Sequence, residues 1–299
     1  MSAPASDLAT AARPIRPART GLLGLVSRIA AEPMGLFGLG LVLLLILTGI
    51  FADWLVPYDP IKMNMQERLL GPSWAHPLGT DNIGRDTFSR VVKGSQIALT
   101  VAAATTLLAM AGGLTLGLLA GYGPRWLDNF LLLIFDSVYS FPSIMLQLAV
   151  ITLLGPSLST VVLVIVITTT PAYARLVRTS TLSIKTSEFI LAERSMGASL
   201  PRIMFRHLLP NVVGPLFIIA SMDVPVVIAI EAGLSFLGLG VRPPAPSWGN
   251  ILNDGFSFIR VTPWIVIGGG IPLVLATLGF TFLGEALRDQ LDPKLRKDR

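Results

Sequence analysis

The chain contains no cysteine and only two histidines, His76 and His207, among its 299 residues. Without a thiol there is neither a disulfide nor a thiolate centre. The two imidazoles stand far apart with no ligand spacing around them, which leaves a metal site to long-range convergence alone. Charge is scarce too: Asp, Glu, Lys and Arg make up 14% of the residues, against roughly a quarter in ordinary soluble domains. No Gly-x-x-x-x-Gly-Lys-Ser/Thr loop occurs, so the usual cradle for nucleotide phosphates is missing. Neither a nucleophile elbow nor a His-Glu-x-x-His pair stands on a plausible frame. Internal repeats are absent as well, and with them the inverted-repeat layout of many secondary transporters.

What remains is apolar and long. Hydrophobic residues reach 52% of the chain, and the mean hydropathy is +0.69. The stretches Gly35 to Phe51 and Ile97 to Tyr122 carry no charge at all. About 20 such residues cross the hydrocarbon core as a helix. Hydropathy predicts six spans, near residues 34–55, 96–122, 128–154, 158–173, 211–234 and 263–287. The fold class expected is therefore an all-α membrane protein. A pI near 9.9 is read as orienting charge at a membrane rather than as a nucleic-acid surface.

Lys and Arg set the expected orientation. With the N-terminus inside, the cytoplasmic pieces hold sixteen of the 23 basic residues, as the positive-inside rule requires. Residues 1–33 are predicted to be a flexible basic cytoplasmic tail, and no small-residue cleavage site follows the first apolar run. Residues 34–287 form the membrane domain, with an outer loop at 57–93 and a basic cytoplasmic loop at 176–210. A second cytoplasmic tail covers 288–299.

The basic loop is the most informative segment. Ser187 can cap a short helix whose first turn carries Glu188. Gly197 allows the left-handed conformation that ends it, and Ser199 with Pro201 can begin a second helix ending at Pro210. Two short amphipathic helices joined by glycine make a knob. Its apolar residues Phe189, Ile190, Met196, Ile203 and Phe205 need a protein surface to cover them.

The segment resembles the cytoplasmic "EAA" loop of bacterial ABC-importer permeases, with Gly197, Leu209 and Pro210 in register. The EAA triplet reads Leu191-Ala192-Glu193 here, and His207 stands at the usual Ile position. Two further stretches narrow the resemblance to the second, C-type permease of dipeptide, oligopeptide and nickel importers. They are His76-Pro77-Leu78-Gly79-Thr80-Asp81-Asn82-Ile83-Gly84-Arg85-Asp86, and Glu231 to Pro244 with Ser247-Trp248-Gly249.

That resemblance implies a six-span type I importer fold in a bacterial inner membrane, with both termini cytoplasmic. It implies a second homologous permease, two ATPase subunits holding ATP and Mg, and an external solute-binding protein as partners. Glu188, Leu191, Ala192, Glu193, Gly197, Arg202, Arg206, Leu209 and Pro210 would then meet the ATPase. The chain itself would bind no cofactor and catalyse nothing. The solute would be a di- or oligopeptide or a related small molecule.

Charges inside spans are functional candidates by default. Asp136, Pro142, Asp223 and Glu231 are therefore candidates for the solute path, and the bland alternative is that they only tie helices together. Glu231 leans to the structural reading, near the turn at Gly233. Rival functions are a proton-coupled secondary transporter using Asp136 and Asp223, and a membrane scaffold without transport. Gly113, Gly117 and Gly121, four apart, predict a close helix contact, in a dimer or, as the safer reading, within the chain.

Overall fold

A computed structural model describes residues 22–291. Most of both expected tails lies outside the described residues. Every regular element among the described residues is helical, apart from one isolated bridge between Thr80 and Asp86. Where the first tail was expected to be flexible, Leu22–Ile29 forms a helix, α1, that touches the last span, with Ile29 buried. The remaining helices are α2 (Pro33–Ile50), α3 (Ala52–Leu55), α4 (Thr87–Tyr122), α5 (Arg125–Tyr139), α6 (Ser143–Leu154), α7 (Leu158–Lys185), α8 (Glu188–Ser195), α9 (Leu200–Ile203), α10 (Leu209–Phe236), α11 (Trp248–Phe256) and α12 (Trp264–Leu291).

Five helices are long and apolar enough to cross a membrane, and α5 with α6 makes a sixth crossing if the pair is one span. That pair bends by 89°, so the straight span expected at 128–154 is broken. The break falls at Ser140-Phe141-Pro142, because a proline cannot donate into the helix ladder and disfavours helical geometry in the residue before it.

The second span starts earlier than hydropathy suggested. Asp86 caps α4, accepting the Ser89 N–H at 2.7 Å, and the helix runs through Arg90 and Lys93. Both charges looked like loop residues, but each has a partner. Arg90 meets Asp81 and Asp254, and Lys93 meets Asp53. The fourth span likewise continues past Tyr173 to Lys185, so the first ten residues of the expected basic loop are helical.

Helices α4 and α7 form the spine. A Cβ on Gly113 would sit 2.4 Å from Tyr173 Cβ, and one on Gly117 would sit 2.5 Å from the Ala174 carbonyl oxygen. Gly121 would meet Thr181 Cβ at 2.7 Å. The stripe thus serves contact within the chain. Gly269 similarly lies against Leu252 of α11 and Gly268 near Thr87, which makes the triple glycine of α12 a packing face.

At the Thr87 end of α4, residues 57–86 fold over the helices. Asp81 is fully buried and accepts from Arg85 Nε at 2.6 Å, from Arg90, and from the Ile83 and Arg85 amides. Asp254 of α11 accepts from both arginines at 3.0 Å. Trp248 donates to the Val91 carbonyl at 3.0 Å and fills the space over Gly94. The opposite end of α4, about 54 Å away at 1.5 Å per residue, carries α8 and α9.

Replacing Gly117 with leucine is expected to force α4 and α7 apart. The cost should be at least the roughly 1–3 kcal/mol of ordinary overpacking, because the obstacle is backbone. Gly40→Ala, whose Cβ would meet nothing within 4 Å, should leave thermal unfolding in detergent unchanged.

Candidate functional site

The knob is built as follows. Helix α8 ends in a left-handed Gly197 at φ +82, with Ala198 N–H reaching back to the Glu193 carbonyl at 3.0 Å. This six-to-one bond is the Schellman closure that glycine favours. Ser187 does not cap α8 as expected. Its hydroxyl donates to the Ile184 carbonyl at 2.6 Å instead, satisfying the last turn of α7.

Nor does the second short helix stop at Pro210. A π turn, Met204–Leu208, joins α9 directly to α10, with Leu209 N–H bonded to the Met204 carbonyl. Pro210 has no N–H to give and its ring would crowd the Arg206 carbonyl; the wider turn absorbs both problems.

Ile190, Ile203 and Leu208 are buried together against Leu118, Tyr122 and Ile184. The knob therefore covers part of its own apolar surface. Leu191, Met196, Leu200 and Phe205 remain exposed, Met196 and Phe205 by 75% and 72%. Of the residues expected to meet a partner, Glu188, Leu191, Ala192, Gly197, Arg202, Arg206 and Pro210 are exposed, and Glu193 and Leu209 are half-buried. His207 Nε2 lies 3.3 Å from Glu193 Oε1, and its ring packs on Phe189. Exposed apolar side chains gathered on such a projection are the kind that a protein or a lipid surface covers.

Tyr122 bolts the knob to α4. Arg194 donates to its hydroxyl at 2.6 Å, and the Arg194 and Lys185 cations lie 5.3 and 5.0 Å from its ring centroid. Lys185 also donates to the Gly121 and Tyr122 carbonyls at 3.3 Å, where the negative end of α4 favours a cation.

The second cluster surrounds the α5–α6 break. Asp136 accepts a hydrogen bond from Arg175 of α7, whose guanidinium lies 4.8 Å from the Tyr139 ring centroid. Asp223 of α10 faces Tyr173 and is within electrostatic reach of Tyr139. The buried Tyr173 hydroxyl closes no hydrogen bond of normal geometry. Nearer the knob, Arg178 grips Asp128 with two nitrogens.

The structure thus brings Asp136, Asp223 and the Pro142 break together. Glu231 stands apart: it is buried and accepts from Ser235, whose hydroxyl in turn accepts the Val241 N–H at 3.1 Å. That chain pins the turn after α10. Sequence reading missed Arg175, Tyr139 and Tyr173, because ending the fourth span at Tyr173 turned Arg175 into a loop charge. The signal was present: acids two turns apart at 128 and 136 on α5, and bases at 175 and 178 on α7.

Beyond the break, α6 and α10 enclose a groove of about 320 Å³ lined by Ser143, Ile144, Gln147, Val226, Ala229 and Ile230. Gln147 is buried there and bonded to Thr168 at 3.1 Å.

The described residues thus form a multi-pass helical bundle with an exposed apolar knob between two spans and a charged face beside a broken one. Residues 113–297 match the family model described as "Binding-protein-dependent transport system inner membrane component". Residues 25–72 match the N-terminal transmembrane domain of oligopeptide transport permease C. The chain is 39% identical to a dipeptide transport system permease of Alkalihalophilus pseudofirmus, over 99% of this chain and 95% of that one.

A glutathione transport system permease of Pectobacterium atrosepticum is 43% identical, over 89% of this chain and 87% of its own length. A di/tripeptide permease of Pseudomonas aeruginosa is 36% identical, over 87% and 88%. Among solved structures, inward-facing MetNI methionine ABC transporter superposes with a TM-score of 0.56 at 21% identity, over 68% of this chain and 96% of that one. The chain belongs to the binding-protein-dependent transport family and is a permease subunit of an ABC importer.

Tyr122→Ala should free the knob, and Tyr122→Phe should keep the ring and drop only the Arg194 bond. Hydrogen exchange of the purified protein is expected to quicken across 188–203, on the order of tenfold for alanine and much less for phenylalanine, as loss of two cation–π contacts and one packing face implies.

Proposed function

We propose that this chain carries short peptides across a bacterial inner membrane as one of two paired permeases. The knob would be cytoplasmic and engage an ATPase dimer, and the face of residues 57–86 and α11 would receive solute from an external binding protein. The observation that carries this reading is the knob: an exposed apolar rim, closed by Gly197 and held rigidly to α4 and α10. The relatives, which are transport-system permeases, favour this reading over a scaffold. ATP and Mg would be held by the partner subunits, with this chain taking no part in hydrolysis.

The peptide assignment rests on chemistry shared by the relatives' names: dipeptide, di/tripeptide and glutathione are all short peptides. The basic loop favours placing both termini in the cytoplasm. ATP binding would close the ATPases and shift the knob, biasing the bundle between inward-open and outward-open states. Asp136, Asp223 and Pro142 would shape the route, whereas Glu231 would fix a turn. Against the proton-coupled reading, Asp136 rests against the Arg175 cation, which favours its ionised form.

Purification from native membranes in mild detergent, followed by mass spectrometry, tests the assembly. A second permease and an ATPase pair are expected, and a chain that comes out alone contradicts the proposal. Gly197 tests the knob, since a side chain there meets nothing within 4 Å and would project outward. Gly197→Trp accepts left-handed strain of roughly 1–2 kcal/mol. It should still insert and fold, yet hydrolyse ATP without importing solute. Undiminished uptake would rule out docking through this face.

A further inference from the structure

Asp136 and Arg175 are 69% and 38% exposed at the side chain, although both lie well inside the helices. At 1.5 Å per residue, Asp136 is about 16 Å along α5 from Arg125, and Arg175 about 15 Å above Lys185. Charged groups at such depth do not face acyl chains; they line water-filled space or protein. Only one guanidinium nitrogen of Arg175, Nη2, is hydrogen-bonded among the described residues. The Arg175 Cζ lies 4.8 Å from the Tyr139 ring centroid. A fixed, partly unused fork is suited to a carboxylate, which it can take with two parallel bonds.

The surroundings place this fork at the end of a route. On α10, Asp223 lies one turn before Val226, which lines the apolar groove between α6 and α10. Solute leaving that groove would meet the charged face next.

Resting on the peptide reading above, we propose that Arg175 is the specificity-determining contact for the carboxylate terminus of the passing peptide. The incoming carboxylate displaces Asp136 from the guanidinium. The Arg175 cation stays paired throughout the exchange, and the displaced Asp136 carboxylate is left to water on its exposed side. Binding is therefore weak enough for release, as a transport site requires.

The test uses the whole complex in proteoliposomes with ATP on the knob side and saturating binding protein. The probe is a defined mixture of dipeptides with free carboxylates, and uptake is read by mass spectrometry beside ATP hydrolysis. Arg175→Gln should lower maximal uptake by about tenfold more than it lowers hydrolysis, the scale of one charge-assisted contact. Arg175→Lys should recover part of the loss, and Asp136→Asn should cost less than Arg175→Gln.

Equal losses of uptake and hydrolysis, matched by Asp136→Asn, would make the pair a structural clamp and overturn the proposal. So would undiminished uptake in Arg175→Gln. A wild-type complex that imports none of the dipeptides overturns the peptide reading itself, a result visible before any variant is made.

Discussion

Helix α4 can lie against α7 at backbone distance because Gly113, Gly117 and Gly121 present no side chain there, and both ends of the molecule hang on that contact. Lipid tails are as apolar as leucine, so burying leucine does not drive spans together in a bilayer; close packing and polar contacts do. At one end α4 carries the Asp86 cap, buried Arg90 and the Val91 carbonyl that Trp248 seeks. At the other it carries Leu118 and Tyr122, which seat the knob. Its partner α7 carries Arg175 and Arg178, which face α5. One helix pair thus connects the loop end, the arginines of the charged face and the α8 half of the knob.

Two kinds of charge cluster occur in the same bundle, and the contrast separates their roles. Asp81, Arg85 and Arg90 are buried, and with Asp254 they share donors and acceptors across two chain segments. Removing one member would leave a buried charge uncompensated, a loss of roughly 3–5 kcal/mol, so this cluster fixes how residues 57–86 and α11 sit on α4. The Asp136–Arg175 pair is open on one side and has donors to spare. An open pair contributes little to stability, and its presence at depth needs a reason other than folding.

Hydropathy made the crossings legible because long uncharged runs have one physical meaning in a chain this poor in charge. It failed where a charge was neutralised by a residue distant in sequence. Arg90 and Lys93 were read as loop because Asp81, Asp254 and Asp53 cannot be seen opposite them, and Arg175 was lost likewise. Helix α11 was invisible: its nine residues include Asn250, Asn253 and Asp254, and it exists because Gly249 lets it touch the Ala232 carbonyl. Gly197 was readable because left-handed backbone has a strong residue preference. Ser187 misled because its hydroxyl had a competing carbonyl in the preceding turn, a choice that local sequence does not fix.

Pro210 was read as a stop, and its reinterpretation carries the furthest consequence. Because the π turn preserves continuity, α9 is a rigid extension of α10, the helix that bears Asp223 and the groove wall at Val226, Ala229 and Ile230. The other half of the knob, α8, is tied through Arg194 and Tyr122 to α4. Gly197 lies between the two halves. Under the proposed function, a load on the knob would act between the α4–α7 body and α10, and relative motion of those two would change the distance from Arg175 to Asp223 and the groove. Without the π turn α9 would be a separate segment, and the load would be lost in a flexible joint before reaching Asp223.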